Sequence, residues 1–275
     1  MTGFQGTTRL TDRWEHLSVA VADGVVTITF NRPDKLGALT FAAYADLRDL
    51  LGEVSRREGA RVIVVTGSGR GFCSGGDVEE IIGALRGMEV AQLLEFTRMT
   101  GSVVRAMREC PLPIIAGVNG VAAGAGAVIA LAADVRLLAR SASFAFLFTR
   151  VGLSGADMGS AYLLPRIVGL GRATELLIFG ERVDAERAEA IGLASGVVDD
   201  AQLGGAVREA AMRIAQGPAL AMSATKSLLT RELDMDLGGA LEMDAMTQAL
   251  LMRSRDHDEF YRAWSEGRSP QWSGR

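Results

Sequence analysis

Residues Asn119–Asp134 read NGVAAGAGAVIALAAD, directly after Pro113-Ile-Ile-Ala-Gly-Val118, a run short, apolar and β-branched enough to be a buried strand. Between Ala122 and Ala127 no side chain exceeds a methyl group, so something approaches that backbone closely. A helix starting near Gly124 turns free amide N–H groups and the positive end of its dipole toward the preceding loop, where they suit a developing negative charge. Tight helix–sheet packing accounts for the same small residues without a ligand, and the remainder of the chain has to separate the two readings.

The chain has 275 residues, 48% of them hydrophobic, enough for a large core and for one large domain or a domain with an appendage. A net charge of −4 and a pI near 5.4 argue against a general nucleic-acid or anionic-membrane binder, which carries basic excess. Lysine occurs only at Lys35 and Lys226. Cys73 and Cys110 form no disulfide framework, and His16 and His257 have no zinc-ligand spacing, so the expectation is a reducing cytoplasmic location and no protein-ligated metal. The N-terminus has neither a basic start nor an apolar run, and the apolar run Val121–Ala133 is too short to span a bilayer.

Along the chain, Leu17–Ala22 and Val25–Phe30 alternate around Asp23-Gly24 and predict a β-hairpin. Thr40 caps a helix on which Tyr44, Leu47, Leu50, Leu51 and Val54 recur at helical spacing. Arg61–Thr66 reads as a buried strand that ends in the small-residue loop GSGRGFCSGGD, residues 67–77, with a helix beginning at or just after Asp77. Strand, glycine-rich turn and helix thus occur twice, which places both loops at the carboxyl ends of neighbouring strands, where open α/β folds bind ligands. Val90–Arg108 is an amphipathic helix, Val135–Ala139 a strand and Ser143–Phe148 another, followed by a helix from Asp157 to Leu164 with Asp157 at its N-cap. After Gly171 the pattern is mostly helical.

GFCSGGD at 71–77 and NGVAAGAG at 119–126 together resemble the two signature loops of the crotonase superfamily, also called the enoyl-CoA hydratase/isomerase family. The resemblance extends to Asn31–Leu39, Gly152-Leu153, Gly180–Ala188 and Gly192–Asp199, and covers about residues 15–270. It implies an α/β fold, a spiral of repeated β-β-α units with a helical C-terminal region. The boundaries expected from it are an N-terminal extension at 1–14, a core for acyl-CoA binding and catalysis at 15–200, and a helical region at 201–275 for oligomerisation and active-site cover. It also implies a homotrimer or homohexamer, an acyl-CoA substrate with no nucleic-acid or membrane partner, and no permanently bound cofactor, coenzyme A entering as part of the thioester.

By the same resemblance, the backbone N–H groups of Gly76 and Ala125 form an oxyanion hole that stabilises the enolate of the thioester. Lys35, Leu36, Phe72, Ser74 and Gly75 belong to the loops that hold coenzyme A, and Val128 and Phe148 line the acyl site. The chain departs from the hydratase pattern at those last two positions, where the family's hydratases carry the two glutamates that activate water. Neither Val128 nor Phe148 can move a proton. Asp157 matches a place where isomerase-type and dehalogenase-like relatives carry an acid, and apolar neighbours there raise a carboxyl pKa toward a working range. Its plainer reading is the helix N-cap, and Glu79 and Glu80 are secondary candidates for the acyl pocket. Asp77 reads as the cap of its own helix, and Cys73 as a small packing residue with no base to activate it. The expected reaction is proton transfer or double-bond isomerisation by one carboxylate. The alternatives are a non-catalytic acyl-CoA-binding paralogue, or a hydratase or hydrolase with a relocated acid/base.

Overall fold

The computed structural model describes Trp14 and residues 16–54 and 59–274; residues 1–13 of the expected N-terminal extension lie outside the described residues. β1 (Leu17–Ala22) and β2 (Val25–Phe30) pair antiparallel with Val19 opposite Ile28, and both Asp23 and Gly24 have the positive φ that a two-residue hairpin demands. Alternate residues of β2, Val26, Ile28 and Phe30, are buried, so the period-two pattern faces the core with its apolar side.

β2 continues into a six-stranded sheet with β3 (Val62–Gly67), β5 (Ile114–Val118), β7 (Val135–Ala139) and β10 (Gly196–Val198), ordered β1-β2-β3-β5-β7-β10 and parallel beyond the hairpin. A second sheet, ordered β4-β6-β8-β9, is built from β4 (Gly71–Cys73), β6 (Val121–Ala123), β8 (Ser143–Ala145) and β9 (Arg182–Asp184). Successive strands alternate between the sheets: β3 then β4, β5 then β6, β7 then β8. Each pair is followed by helix, giving the expected spiral of β-β-α units: α2 (Gly83–Leu85) and α3 (Val90–Glu109) after β4, α4 (Ala125–Ala132) after β6, and α5 (Ser160–Val168) after β8.

α1 (Phe41–Val54) lies against α3, and its Tyr44, Leu47, Leu50, Leu51 and Val54 are all buried, as their spacing predicts. Thr40 Oγ1 accepts from Ala43 N at 3.1 Å, which satisfies one amide of the first turn. The last third is helical: α6 (Leu170–Phe179), α7 (Ala185–Ala190), α8 (Leu203–Ala215), α9 (Ala219–Glu232), α10 (Leu237–Leu251) and α11 (Arg255–Glu266). Among the described residues no helix is long and apolar enough to cross a membrane.

Three expectations are corrected. Ser143–Phe148 is not one strand, because β8 ends at Ala145 and Leu147–Val151 turns into a 3-10 helix closed by Gly152 at φ 78°. The helix expected from Asp157 starts instead at Ser160, since Met158 and Gly159 both take left-handed φ, 49° and 86°. Asp157 is therefore not the N-cap of α5. The loops at 67–77 and 119–124 contain the strands β4 and β6, three residues each, paired with one another in parallel.

Candidate active site

The two glycine-rich segments meet because their side chains are too small to keep them apart. A Cβ on Gly126 would collide with the Cys73 carbonyl, and one on Gly75, whose φ is 98°, would lie 3.0 Å from the Ala123 carbonyl and 3.5 Å from Ala125 N. The Asn119 side chain fastens the same pair. Its Oδ1 accepts from Gly67 N at 3.0 Å, and its Nδ2 donates to the Gly69 and Gly71 carbonyls at 3.0 and 3.1 Å.

Around Gly76 the neighbouring amides are committed. Leu39 N donates to Gly75 O at 2.8 Å and Asp77 N to Leu39 O at 2.9 Å, forming a bridge between the two segments. Gly124 N donates to Ala145 O at 2.8 Å, and Val128 N returns to Gly124 O at 3.2 Å as the first closed turn of α4. Gly76 N and Ala125 N have no acceptor among the described residues. Two unused donors on adjacent segments, one of them at the first position of an eight-residue helix, are thus available to an anionic group.

Asp77 is the cap that the sequence suggests: its Oδ1 accepts from Glu79 N and Glu80 N at 3.0 and 3.1 Å. Burial pushes its carboxyl up, but those two N–H groups with the charges of Lys35 and Arg32 outweigh it and hold the pKa below the usual value. Arg32 Nη1 stands 3.1 Å from Asp77 and Lys35 Nζ 3.6 Å. Glu79 and Glu80, the secondary candidates, are exposed and paired outward, to Lys35 at 2.9 Å and to Arg32 at 2.8 Å. Lys35 is exposed, and its pKa is raised first by the hydrogen bond to Glu79.

Lys35-Leu36 is clamped to the first glycine loop by Ser74, whose N donates to Leu36 O at 3.0 Å and whose Oγ donates to Lys35 O at 3.1 Å. Leu36 holds a left-handed φ of 51°, a conformation a branched side chain adopts under constraint from its surroundings. The Phe72 ring is fully buried, edge-on to Phe30 with centroids 5.4 Å apart, which leaves only its main chain for a ligand. Val128 and Phe148 are both buried and apolar.

Asp157 is half-buried; burial raises its pKa, and the Met158 N–H donated to Oδ1 at 2.9 Å offsets this in part. Ser160 Oγ accepts from Asp157 N at 3.1 Å and donates to Gly155 O at 2.6 Å, so the loop that carries the aspartate is fixed at its base. The Cys73 thiol is pushed up to about 12 by burial and stays protonated at neutral pH.

Asn119 and Tyr44 lie against the first glycine-rich segment, and neither residue type nor spacing singles them out. Asn119 opens the quoted stretch with no signal of its own, and Tyr44 reads only as an apolar position of α1. Tyr44 is buried, yet its hydroxyl lies 3.6 Å from where a Cβ of Gly76 would stand and makes no hydrogen bond to a described residue.

Two interleaved, largely parallel sheets, joined through strand–turn–helix units whose glycine-rich turns meet, define an α/β protein of the β-β-α spiral class. The sequence pattern of the family described as Enoyl-CoA hydratase/isomerase matches residues 20–275, and the chain belongs to that family, the crotonase superfamily. A Rhodobacter capsulatus protein described as a probable enoyl-CoA hydratase is 39% identical over 255 residues, 93% of this chain and 96% of that one. The 1,2-epoxyphenylacetyl-CoA isomerase of Escherichia coli K12 is 35% identical over 93% of this chain and 97% of its own. The crystal structure of a provisionally assigned enoyl-CoA hydratase from Streptomyces coelicolor A3(2) superimposes with a TM-score of 0.95 at 61% identity, covering 100% of both chains. The protein is an enzyme of this family acting on CoA thioesters.

Proposed function

We propose that the chain binds an acyl-CoA with its thioester oxygen between Gly76 N and Ala125 N, and that Asp157 moves a proton on the acyl carbons conjugated to it. The carrying observation is the distribution of acid groups. Val128 and Phe148 cannot titrate, Glu79 and Glu80 are tied outward to Lys35 and Arg32, and Asp157 combines partial burial with a raised pKa. As charge leaves Cα for the thioester oxygen, two fixed amides stabilise it without reorganising; losing one such donor costs about 3 kcal/mol. A single carboxylate removes a proton at one carbon and returns it at another, which suits double-bond or ring isomerisation better than hydration. A 1,2-epoxyphenylacetyl-CoA isomerase among the relatives supports that reading. Lys35, Leu36, Ser74, Gly75 and the Phe72 main chain hold the coenzyme A moiety, and the protein works in the cytoplasm.

The test is turnover of 2-enoyl-CoA and 3-enoyl-CoA panels by wild type and Asp157→Asn. The variant is expected to lose about 10²–10⁴ in kcat. Unchanged rates reject the role of Asp157. Tight thioester binding with no turnover by the wild type indicates the non-catalytic paralogue, and ¹⁸O from labelled water in the product indicates a relocated hydratase or hydrolase.

A further inference from the structure

Tyr44 is a polar group beside Gly76 that the proposed proton transfer leaves unused. Its ring is fixed, edge-on to Phe96 with centroids 6.1 Å apart at 87°, on a helix whose inner face is wholly apolar apart from it and Asp46. The Tyr44 oxygen is not one of the fully enclosed unpartnered side-chain atoms, so it faces space that a water or a ligand can reach, although an inward-turned phenol normally finds a hydrogen-bond partner in the protein. Tyr44 has none among the described residues. The hydroxyl lies on the side of Gly76 where a side chain would project, beside Ile81 Cδ1, which stands 3.5 Å from the same point, and it is near enough to Asp157 to feel its charge. On the proposed reading it is near both the amide that holds the thioester oxygen and the carboxylate that moves the proton, so the acyl carbons of a bound thioester pass within its reach.

We propose that Tyr44 is a substrate-contacting donor that selects acyl-CoA thioesters bearing an oxygen substituent, a hydroxyl, epoxide or carbonyl on the acyl carbons, over plain alkyl ones. This rests on the reading that Gly76 and Ala125 hold the thioester. Burial, with the nearby Asp157 charge adding to it, holds the phenol pKa well above its usual value. Tyr44 stays protonated, a hydrogen-bond donor and acceptor and not a base. A site built to bond a ligand oxygen discriminates strongly against the analogue lacking it, because the protein group is then left unpaired.

Calorimetric titration of wild type and Tyr44→Phe with butyryl-CoA, 3-hydroxybutyryl-CoA and 4-hydroxybutyryl-CoA tests this. The wild type is expected to prefer at least one hydroxylated ligand by about tenfold or more. Tyr44→Phe should lose that preference, bind butyryl-CoA as before, and keep or raise its Tm, since the hydroxyl has no protein partner to lose. Equal affinities of the wild type for all three ligands, or a preference retained by Tyr44→Phe, overturn the proposal and leave the oxyanion reading standing. A lowered Tm with equal weakening of all three ligands makes Tyr44 structural and overturns it too. If the wild type binds none of the three thioesters, the oxyanion reading falls first and this one with it.

Discussion

Asp157 differs from an ordinary surface aspartate in one measurable respect. Burial raises its pKa, so its proton is held more tightly in the folded chain than in the unfolded one. The penalty for keeping it charged is then fully present above its folded pKa and vanishes below the unfolded value of about 3.9. Asp157→Asn is therefore expected to raise Tm slightly near neutral pH, with the gain fading as pH falls through the carboxylate range. A Tm difference that grows on acidification would contradict the sign. As a base, Asp157 must be ionised, so kcat/KM of the wild type should show an acid limb above the ordinary aspartate pKa, absent from the residual rate of Asp157→Asn. Cys73 offers the opposite prediction. Its thiol is buried and pushed up to about 12, so it should resist alkylation by iodoacetamide at pH 8 in the native state and react on unfolding, and Cys73→Ala should keep its turnover. Fast native labelling at Cys73 would show that the thiol is open to solvent.

At the scale of elements, the helix at Ala125–Ala132 and the loop at 71–77 were legible in the sequence because small residues report close approach directly. The strands β4 and β6 were not, since three residues of glycine, alanine and cysteine carry no periodicity, and their pairing joins segments about fifty residues apart in sequence. The start of α5 was misplaced for a related reason: Asp157 looks like a cap, but the left-handed turn at Met158-Gly159 moves the helix on to Ser160. That displacement leaves the Asp157 carboxylate with one local hydrogen bond, from Met158 N, in place of the capping bonds to a first turn. Phe146 and Phe148 favour a strand by type, yet the chain coils at Leu147–Val151 and both rings stay buried. Gly126 tests the close approach. Its Cβ would enter the Cys73 carbonyl, and neither backbone can yield without separating β4 from α4. Gly126→Ala is expected to cost about 2–3 kcal/mol in urea unfolding and to weaken butyryl-CoA binding by more than tenfold. A variant with wild-type stability and binding would mean that the two segments are not held at this distance.

For the whole molecule, both lysines of the chain are engaged, in different ways. Lys226 on α9 is buried, donates to the Met107 and Leu112 carbonyls at 3.0 and 2.8 Å, and pairs with Asp134 at 2.8 Å. It thereby joins the C-terminal helices to the end of α3 and the turn after α4. Composition set Lys226 beside Lys35 as the scarce cations, but only the packing shows that one is structural. Beyond that contact the C-terminal helices leave much apolar surface uncovered: Leu237 and Leu250 are 75% exposed, Trp264 71% and Tyr261 64%. Side chains of this kind left in water contribute nothing to folding, whereas burial at about 25 cal/mol per Å² would stabilise an assembly. The family resemblance points to trimers or paired trimers, and these helices are where such contacts would form. Light scattering of the purified chain is expected to give three or six times the 29.1 kDa of one chain. Substituting Leu237, Leu250 and Trp264 together by lysine should shift that mass toward one chain without the loss of helical circular dichroism that a buried triple substitution would cause. A wild type that is monomeric at micromolar concentration would leave this surface without an explanation in subunit contacts.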